Sequence, residues 1–294
     1  MSFKILVSIL FYNDVKSVCH LISDFTGEKQ KFDLLVMDNG SQLENHETLK
    51  KNYPSVTILR QEINLGYTGG NNHVFQWAVK HGYDYVVICN QDIHIENGFM
   101  DKLYTILSET NISVLGVVEK DMDTKEIVVV GGLGYNKLRM KSHWLRVLKN
   151  MNTNVMRVDY VQGALVVFSQ SALKAGLAYD PNIFMYYDEF DLGFLMQKKG
   201  IVPFVAPHLC VFHKTHDKHF TLIKGYFLHR NRIYLAKKHL TFFQYFLFCL
   251  TFFMEITPKL IVRFMEGRAH YVLACIHGCL DGFGGRMGKG RYVS

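Results

Sequence analysis

The sequence predicts an α/β fold: a mostly parallel, doubly wound sheet followed by a helical, basic, amphipathic appendage. Three observations carry that reading. Over residues 1–92, short apolar runs alternate with helix-length segments joined by short connections, the pattern that builds parallel βαβ units. Polar residues gather where the apolar runs end, which is the edge where such sheets bind ligands. The charge balance then changes: residues 1–212 hold 20 Lys and Arg against 22 Asp and Glu, whereas residues 213–294 hold 13 against 4. With 294 residues, 49% of them hydrophobic and 20% charged, the chain can bury a large core, and a disordered or fibrous protein is excluded.

Residues 4–10 are almost continuously apolar and read as a buried parallel strand. Asn13 and Asp14 then cap a helix running to about Phe25. Residues 32–38 form a second strand that stops at Asp38-Asn-Gly-Ser41, a turn signal. Residues 43–52 are helical and 56–60 form a third strand. The glycine-rich loop Asn64-Leu-Gly-Tyr-Thr-Gly-Gly-Asn-Asn72 opens a helix ending near Gly82. Residues 83–89 form a fourth strand, which ends at Asn90-Gln91-Asp92. A helix over 98–109 and strands over 114–118, 127–131 and 158–169 follow, with 132–156 read as a basic, flexible loop. A short helix at 170–177, a helix over 184–200 and closing strands at 202–205 and 210–213 complete the body.

Beyond His213 the composition shifts, and the last 82 residues hold 10 of the 22 Phe. Residues 223–239 are helical and carry Arg230, Arg232, Lys237 and Lys238. Residues 242–254 are apolar apart from Gln244 and Thr251, and the run is shorter than the ~20 residues that cross a bilayer. Glu255 and Pro258 close it. A further amphipathic stretch over 260–279 and a glycine-rich, basic end over 282–291 follow. This composition fits a surface-binding appendage on an anionic membrane, with homo-oligomerisation as the alternative. No nucleic-acid-binding motif accompanies the basic residues. The six cysteines form no CxxC pair and lie mostly in apolar runs, as free buried thiols do, and the first residues lack the features of a signal peptide. A cytoplasmic location is expected.

Five clusters have the makings of chemistry. Asp38, just past a buried strand, can accept from the imide N–H of a uracil or thymine, with Asn13 and Asp14 at the neighbouring strand end. Gly66, Gly69 and Gly70 permit close backbone approach to a ligand before a helix N-terminus. Asp92 at a strand end can hold a divalent ion on a diphosphate, with His94 two residues on. Asp188, Glu189 and Asp191 crowd three carboxylates between apolar flanks, which raises a pKa and suits a general base. His213 follows a strand facing the same edge, and neutral imidazole is a natural metal ligand. His208, His216 and His219 lie nearby in sequence.

Taken in order, these elements resemble glycosyltransferases of family 2, with the GT-A fold. The resemblance covers about residues 1–220. It is carried by the first strand with its Tyr-Asn end, Val-Met-Asp38-Asn-Gly-Ser, the Asn64–Asn72 glycine motif and Asn90-Gln-Asp92 in place of a DxD motif. Gln162-Gly163-Ala164, the Tyr-Asp188-Glu189-Phe-Asp191-Leu box and His213-Lys214 continue it. Arg230-Asn231-Arg232 and Asp281-Gly-Phe-Gly-Gly-Arg-Met-Gly resemble the rhamnosyltransferase-like branch.

The resemblance implies a domain over 1–220 that binds a nucleotide sugar and catalyses, and a helical region over 221–294 for membrane association or oligomerisation. It implies that Asp38 reads the base of a dTDP- or UDP-sugar, with Asn13, Asn64, Gly66, Asn72, Asn90 and Gln91 lining the donor. Asp92 and His213 would hold magnesium or manganese. Glu189 or Asp188 would be the base, with Asp191 beside them, and Arg230 and Arg232 would face the donor diphosphate. The implied reaction is an inverting displacement onto a lipid-linked or polysaccharide acceptor at the inner face of the cell membrane. The box runs Asp-Glu where the family has Glu-Asp, so both acids remain candidates. A nucleotidyltransferase and a non-catalytic nucleotide-sugar-binding module are the competing readings. The first lacks its glycine-rich, basic N-terminal loop, and the second has no use for crowded acids.

Overall fold

The computed structural model describes residues 3–29, 32–147, 153–214 and 221–293. Strand β1 (Ile5–Phe11) is buried along almost its whole length because both faces of the sheet are covered, which is why its sequence does not alternate. Asp14 accepts from the Ser17 N–H and caps α1 (Val15–Thr26), whose Val18, Leu21, Ile22 and Phe25 share one buried face. The unit repeats through β2 (Asp33–Asp38), α2 (Leu43–Asn52), β3 (Thr57–Arg60), α3 (Gly66–Lys80) and β4 (Tyr85–Asn90). β1 pairs in parallel with β2 on one side and β4 on the other, setting Phe11 opposite Asp38 and Leu10 opposite Asn90. The topological switch therefore lies between β1 and β4, and the carboxyl ends of β1, β2 and β4 open on one crevice.

The body continues through β5 (Ile93–Ile95), α4 (Phe99–Glu109), β6 (Val114–Asp121), β7 (Ile127–Val129), β8 (Gly131–Asn136), β9 (Lys141–Leu145), β10 (Met156–Arg157), β11 (Leu165–Ser169), α5 (Gln170–Lys174), α6 (Asp188–Lys199) and β12 (Pro203–His213). The sheet order is β10-β12-β6-β11-β4-β1-β2-β3, with β11 antiparallel between β4 and β6. β12 runs parallel to β6, so His213 ends at the same edge as Asp121. One apolar layer covers each face of the sheet.

Several sequence expectations change. The strand expected over 158–169 is a strand only from Leu165, because the Gln162 side chain accepts from the Ala164 N–H and turns the backbone just before it. The expected loop 132–156 contains the β8–β9 hairpin, while residues 148–152 lie outside the described residues. The two closing strands are one, bulged between Ala206 and Cys210. The glycine-rich loop is already helix from Gly66 onward. At Gly70 a Cβ would sit 2.5 Å from a Leu10 methyl, so only glycine lets α3 lie this close to β1. The helix expected from residue 184 starts at Asp188, since Phe184, Tyr186 and Tyr187 hold left-handed φ angles of 69°, 63° and 68°.

Three helices follow: α7 (Leu222–His239), α8 (Phe242–Met265) and α9 (Ala269–Gly284). Glu255 and Pro258 do not close the apolar run. α8 continues through both for 24 residues, long and apolar enough to cross a membrane by length and composition. Glu255 is tolerated because it pairs with Lys141 at 2.6 Å and Arg232 at 2.9 Å. Phe248, Phe252 and Ile256 dock the same side of α8 into a core shared with Met140, Ile183 and Phe190 of the body. All six cysteines are free.

Candidate active site

Where β1, β2 and β4 end, a network of amides shapes a small cavity of about 190 Å³, lined by Tyr12, Asn39, Asn64, Gly66, Tyr67, Asn90, Gln91 and Asp92 among others. Gln91 holds the backbone of Tyr12 from both sides: its Oε1 accepts from the Tyr12 N–H at 2.8 Å and its Nε2 donates to the Tyr12 carbonyl at 3.2 Å. Asn39 does the same for the entry to α3, donating to Asn64 Oδ1 and the Gly66 carbonyl and accepting from the Leu65 N–H. Asn64 in turn accepts from the Gly66 N–H at 2.8 Å.

This space continues into a second cavity of about 640 Å³, which shares Tyr67, Asn90, Asp92 and Met185 with the first. Asp92 and His213 meet there: His213 Nε2 lies 3.2 Å from Asp92 Oδ2, and its Nδ1 lies 2.9 Å from Glu119 Oε1. Burial alone would lower the His213 pKa, but the hydrogen bonds and charges of Asp92 and Glu119 outweigh it and push it up to about 10. This donor set fits a divalent cation. Glu119 fixes the ring through Nδ1–H, and Asp92 and His213 would be the residues to hold a cation, with His213 giving up its Nε2 proton. Among the described residues no three His, Cys, Asp or Glu side chains form a closed cage. Magnesium or manganese here would complete its shell with diphosphate oxygens and water.

The same cavity is lined by Asp188 and Glu189 at the start of α6, with Tyr67, Trp144, Arg146, Gln162 and Tyr186. Burial raises the Asp188 pKa well above the carboxylate range, and the adjacent Glu189 charge raises it further. Burial raises Glu189 too, but the hydrogen bond from Asp188 opposes the rise. The two carboxyls titrate as a coupled pair, and both hold their protons to higher pH than free carboxylic acids. Among the described residues, Gln162 Nε2 is buried in this wall without a hydrogen-bond partner.

The structure therefore brings Asn64, Gly66, Asn90, Gln91, Asp92, His213, Asp188 and Glu189 around one cleft. It does not bring in the others. Asp38 is fully buried, and its oxygens are taken by the Ser41 N–H, His46 and Arg60, which leaves none facing the cleft to read a base. Asn13 accepts from the Gln42 N–H and Asn45, tying the β1 loop to α2. Asn72 exchanges two hydrogen bonds with the backbone of Tyr179. Asp191 turns to Lys238 and His239, at 2.9 and 2.6 Å, in a separate cavity of about 740 Å³. Lys238 also pairs with Asp180, so it bridges both acids of that larger cavity.

Arg230 and Arg232 do not face a donor. The Arg230 guanidinium donates to the carbonyls of Asn182, Ile183 and Gly288, and Arg232 donates to Glu255 and the Arg139 carbonyl. His94 pairs with Asp24 and not with Asp92. His216 and His219 lie outside the described residues. Sequence reasoning missed Asn39, Glu119, Trp144 and Arg146. Glu119 was findable as the acid that ends the apolar strand 114–118, on the same edge as Asp92.

The family model for glycosyl transferase family 2 matches residues 7–162, more than half of the chain. A low-salt glycan biosynthesis hexosyltransferase, Agl10, from Haloferax volcanii is 22% identical over 300 residues, covering 96% of this chain and 92% of that protein. A dTDP-rhamnosyl transferase, RfbF, from Shigella flexneri is 23% identical over 307 residues, covering 99% of each. An N-acetylglucosaminyl-diphospho-decaprenol L-rhamnosyltransferase from Mycobacterium tuberculosis is 24% identical over 64% of this chain and 67% of its own length. Among solved structures, GalNAc-T7 with UDP, GalNAc and Mn2+ shares the fold at a TM-score of 0.58, with 14% identity over 72% of this chain and 44% of that one. S. aureus TarS 1-349 shares it at 0.55, with 12% identity over 95% and 71%.

Proposed function

The chain belongs to glycosyl transferase family 2, and on that premise we propose that it moves L-rhamnose from dTDP-rhamnose to a hydroxyl of a lipid-linked or polysaccharide acceptor in cell-surface glycan synthesis. The observation that carries the reading is that the Asp188–Glu189 pair and the Asp92–His213 pair line one cavity. An in-line displacement needs a base on one side of the anomeric carbon and charge stabilisation on the other. Glu189, or Asp188 beside it, takes the proton of the acceptor hydroxyl as its oxygen attacks the anomeric carbon. The bond to the diphosphate breaks on the far side, and the configuration inverts. Magnesium or manganese held by Asp92 and His213 would neutralise charge on the diphosphate. Rhamnose is favoured by the two rhamnosyltransferase relatives, one of them aligned over 99% of both chains. A UDP-hexose donor is the second reading, supported by the hexosyltransferase relative.

Release of dTDP or UDP from a panel of sugar nucleotides, by the wild type and by Glu189→Ala and Asp188→Ala, tests this. Turnover that survives both substitutions removes the assigned base. Turnover of a UDP-hexose alone replaces the donor.

The acceptor reading places the protein at the inner face of the cell membrane, and the C-terminal helices support it. α8 presents Phe242, Phe243, Phe246, Leu250 and Phe253 to solvent, and Phe253 stacks on Phe283 of α9, joining the two apolar faces. An amphipathic surface of this kind lies in the headgroup region. Co-sedimentation with anionic liposomes is the expected result. A stable dimer that fails to co-sediment would assign the face to self-association.

A further inference from the structure

We propose that Arg230 and Asn231 are positioning residues, which hold the Asp188–Glu189 pair in its reacting geometry by clamping the strained backbone that delivers it. The proposal rests on the reading of that pair as the base of glycosyl transfer. The segment just before the pair contains three left-handed residues, Phe184, Tyr186 and Tyr187, none of them glycine, asparagine or aspartate. Each is strained and persists only where the surroundings over-determine it.

The surroundings do so from α7. Asn231 Nδ2 donates to the carbonyls of Ile183, Met185 and Tyr186 at 3.1, 2.8 and 2.9 Å. Arg230 Nη2 donates to the Ile183 carbonyl at 2.8 Å, and its Nε donates to Asn231 Oδ1 at 3.0 Å, which fixes the orientation of the amide. Both side chains are fully buried. From the cleft side, the Thr68 N–H donates to the Phe184 carbonyl at 3.2 Å, and Gly66 leaves space where a Cβ would fall 2.4 Å from that oxygen. The acid loop is thus gripped between α3 and α7.

The clamp has its own support. Arg230 Nη1 donates to the Gly288 carbonyl at 2.7 Å, and Asp281 ties this closing segment to α7 through Tyr226 and Arg291. Gly282 packs on the Arg230 carbonyl, where a Cβ would lie 2.8 Å away. The basic Arg-Asn-Arg stretch and the glycine-rich end therefore act on the chemistry through backbone geometry and not through the donor's phosphates. A misplacement of about 1 Å at a reacting group is worth ~100-fold in rate.

The test compares full-length Asn231→Ala and Arg230→Lys with a control, Leu103→Ala, which opens the core beneath α4, a core that holds no residue of the acid loop. Nucleoside diphosphate release from dTDP-rhamnose and UDP-hexoses, thermal midpoints and amide hydrogen exchange are read for each. Asn231→Ala is expected to lower kcat by about 30-fold or more, leave donor KM within ~3-fold, and speed exchange at residues 183–188 by about tenfold. Arg230→Lys, which keeps the charge and loses the planar fork, should fall between Asn231→Ala and wild type. Leu103→Ala should lower the midpoint and leave kcat within ~3-fold. A kcat loss in the control that parallels that of Asn231→Ala, or unchanged kcat in Asn231→Ala, overturns the positioning role. If the wild type turns over no donor, the glycosyl-transfer reading fails, and exchange alone decides the clamp, with unchanged exchange at 183–188 overturning it.

Discussion

The rim of the sheet and the C-terminal helices are both rich in charged residues, yet their charges do opposite things. At the rim, Asp92, Glu119, His213, Asp188 and Glu189 converge on a common cavity. In the helices, Arg230, Arg232, Lys238 and Arg291 turn to carbonyls and carboxylates of the protein, and the outer face is phenylalanine. A strand end has no neighbour beyond it, so a polar residue there faces open space. A helix residue is placed by the face it occupies, and a buried Arg must find acceptors within the fold.

The sharpest division between the two regions runs through catalysis. Glu189→Gln is expected to lower kcat by about 10²–10⁴-fold, the range for loss of a general base, and to retain the stabilisation that donor gives in a thermal shift assay. The rate should also lose its acid limb above the usual carboxylate range. Burial raises both carboxyls of the pair, so Glu189 is ionised only at higher pH than a free Glu, and activity falls as pH drops through that raised value. An acid limb in the ordinary carboxylate range would mean that the base is solvated.

A smaller loss, about 10²-fold, is expected for Asp92→Asn or on removal of divalent cation with a chelator. Since a cation must displace the His213 proton, its affinity should rise with pH, with proton release visible in calorimetry. Equal rates with and without chelator would leave Asp92 and His213 as a plain ion pair.

In the helices the expected effects are on stability. Glu255 is half enclosed; burial raises its pKa, but hydrogen bonds from Arg232, Lys141 and Lys259 outweigh this and hold it well below the usual carboxylate range. Arg232→Met should cost about 1–3 kcal/mol at pH 7, measured from urea midpoints. A depressed carboxyl stabilises the fold above its unfolded pKa and loses that contribution as pH falls through the folded value, so the gap between variant and wild type should close in acid. A gap that persists at low pH would assign the loss to packing on Phe248 and Phe252.

The sheet half of the fold was legible because buried parallel strands write themselves as apolar runs and their ends as polar clusters. Asp92, His213, Asp188 and Glu189 stand at such ends, with the order of motifs supplying the family. Asp38 carries the same signal, but its carboxylate closes its own loop through Arg60 and His46, residues distant or unremarkable in sequence. Asp191 shares a cluster with Asp188 but takes its partners from α7. The left-handed turn at 184–187 was invisible, since Phe and Tyr give no signal for it and the residues that enforce it come about 45 positions later. α8 was cut short because Glu255 and Pro258 end an isolated helix, whereas here Lys141 and Arg232 supply the charge partners that let it continue.

The smallest stability effect belongs to the outer face of α8, and it separates the two regions most cleanly. Phe243 and Phe246 are 67% and 54% exposed, so Phe243→Ser with Phe246→Ser removes little buried area and should shift stability by no more than about 0.5 kcal/mol. Catalysis on a soluble donor should be untouched, because neither residue lines the cleft. Membrane binding, in contrast, depends on the apolar area delivered to the headgroup region, and two exposed Phe are a large part of it. Loss of liposome co-sedimentation at unchanged donor turnover would show that the helices serve two tasks on two faces. In that outcome their inner face would clamp the acid loop and their outer face would hold the enzyme at its acceptor. Retained co-sedimentation would shift the membrane contact to the exposed basic residues near Arg263 and Arg268, and it would then weaken as salt is raised.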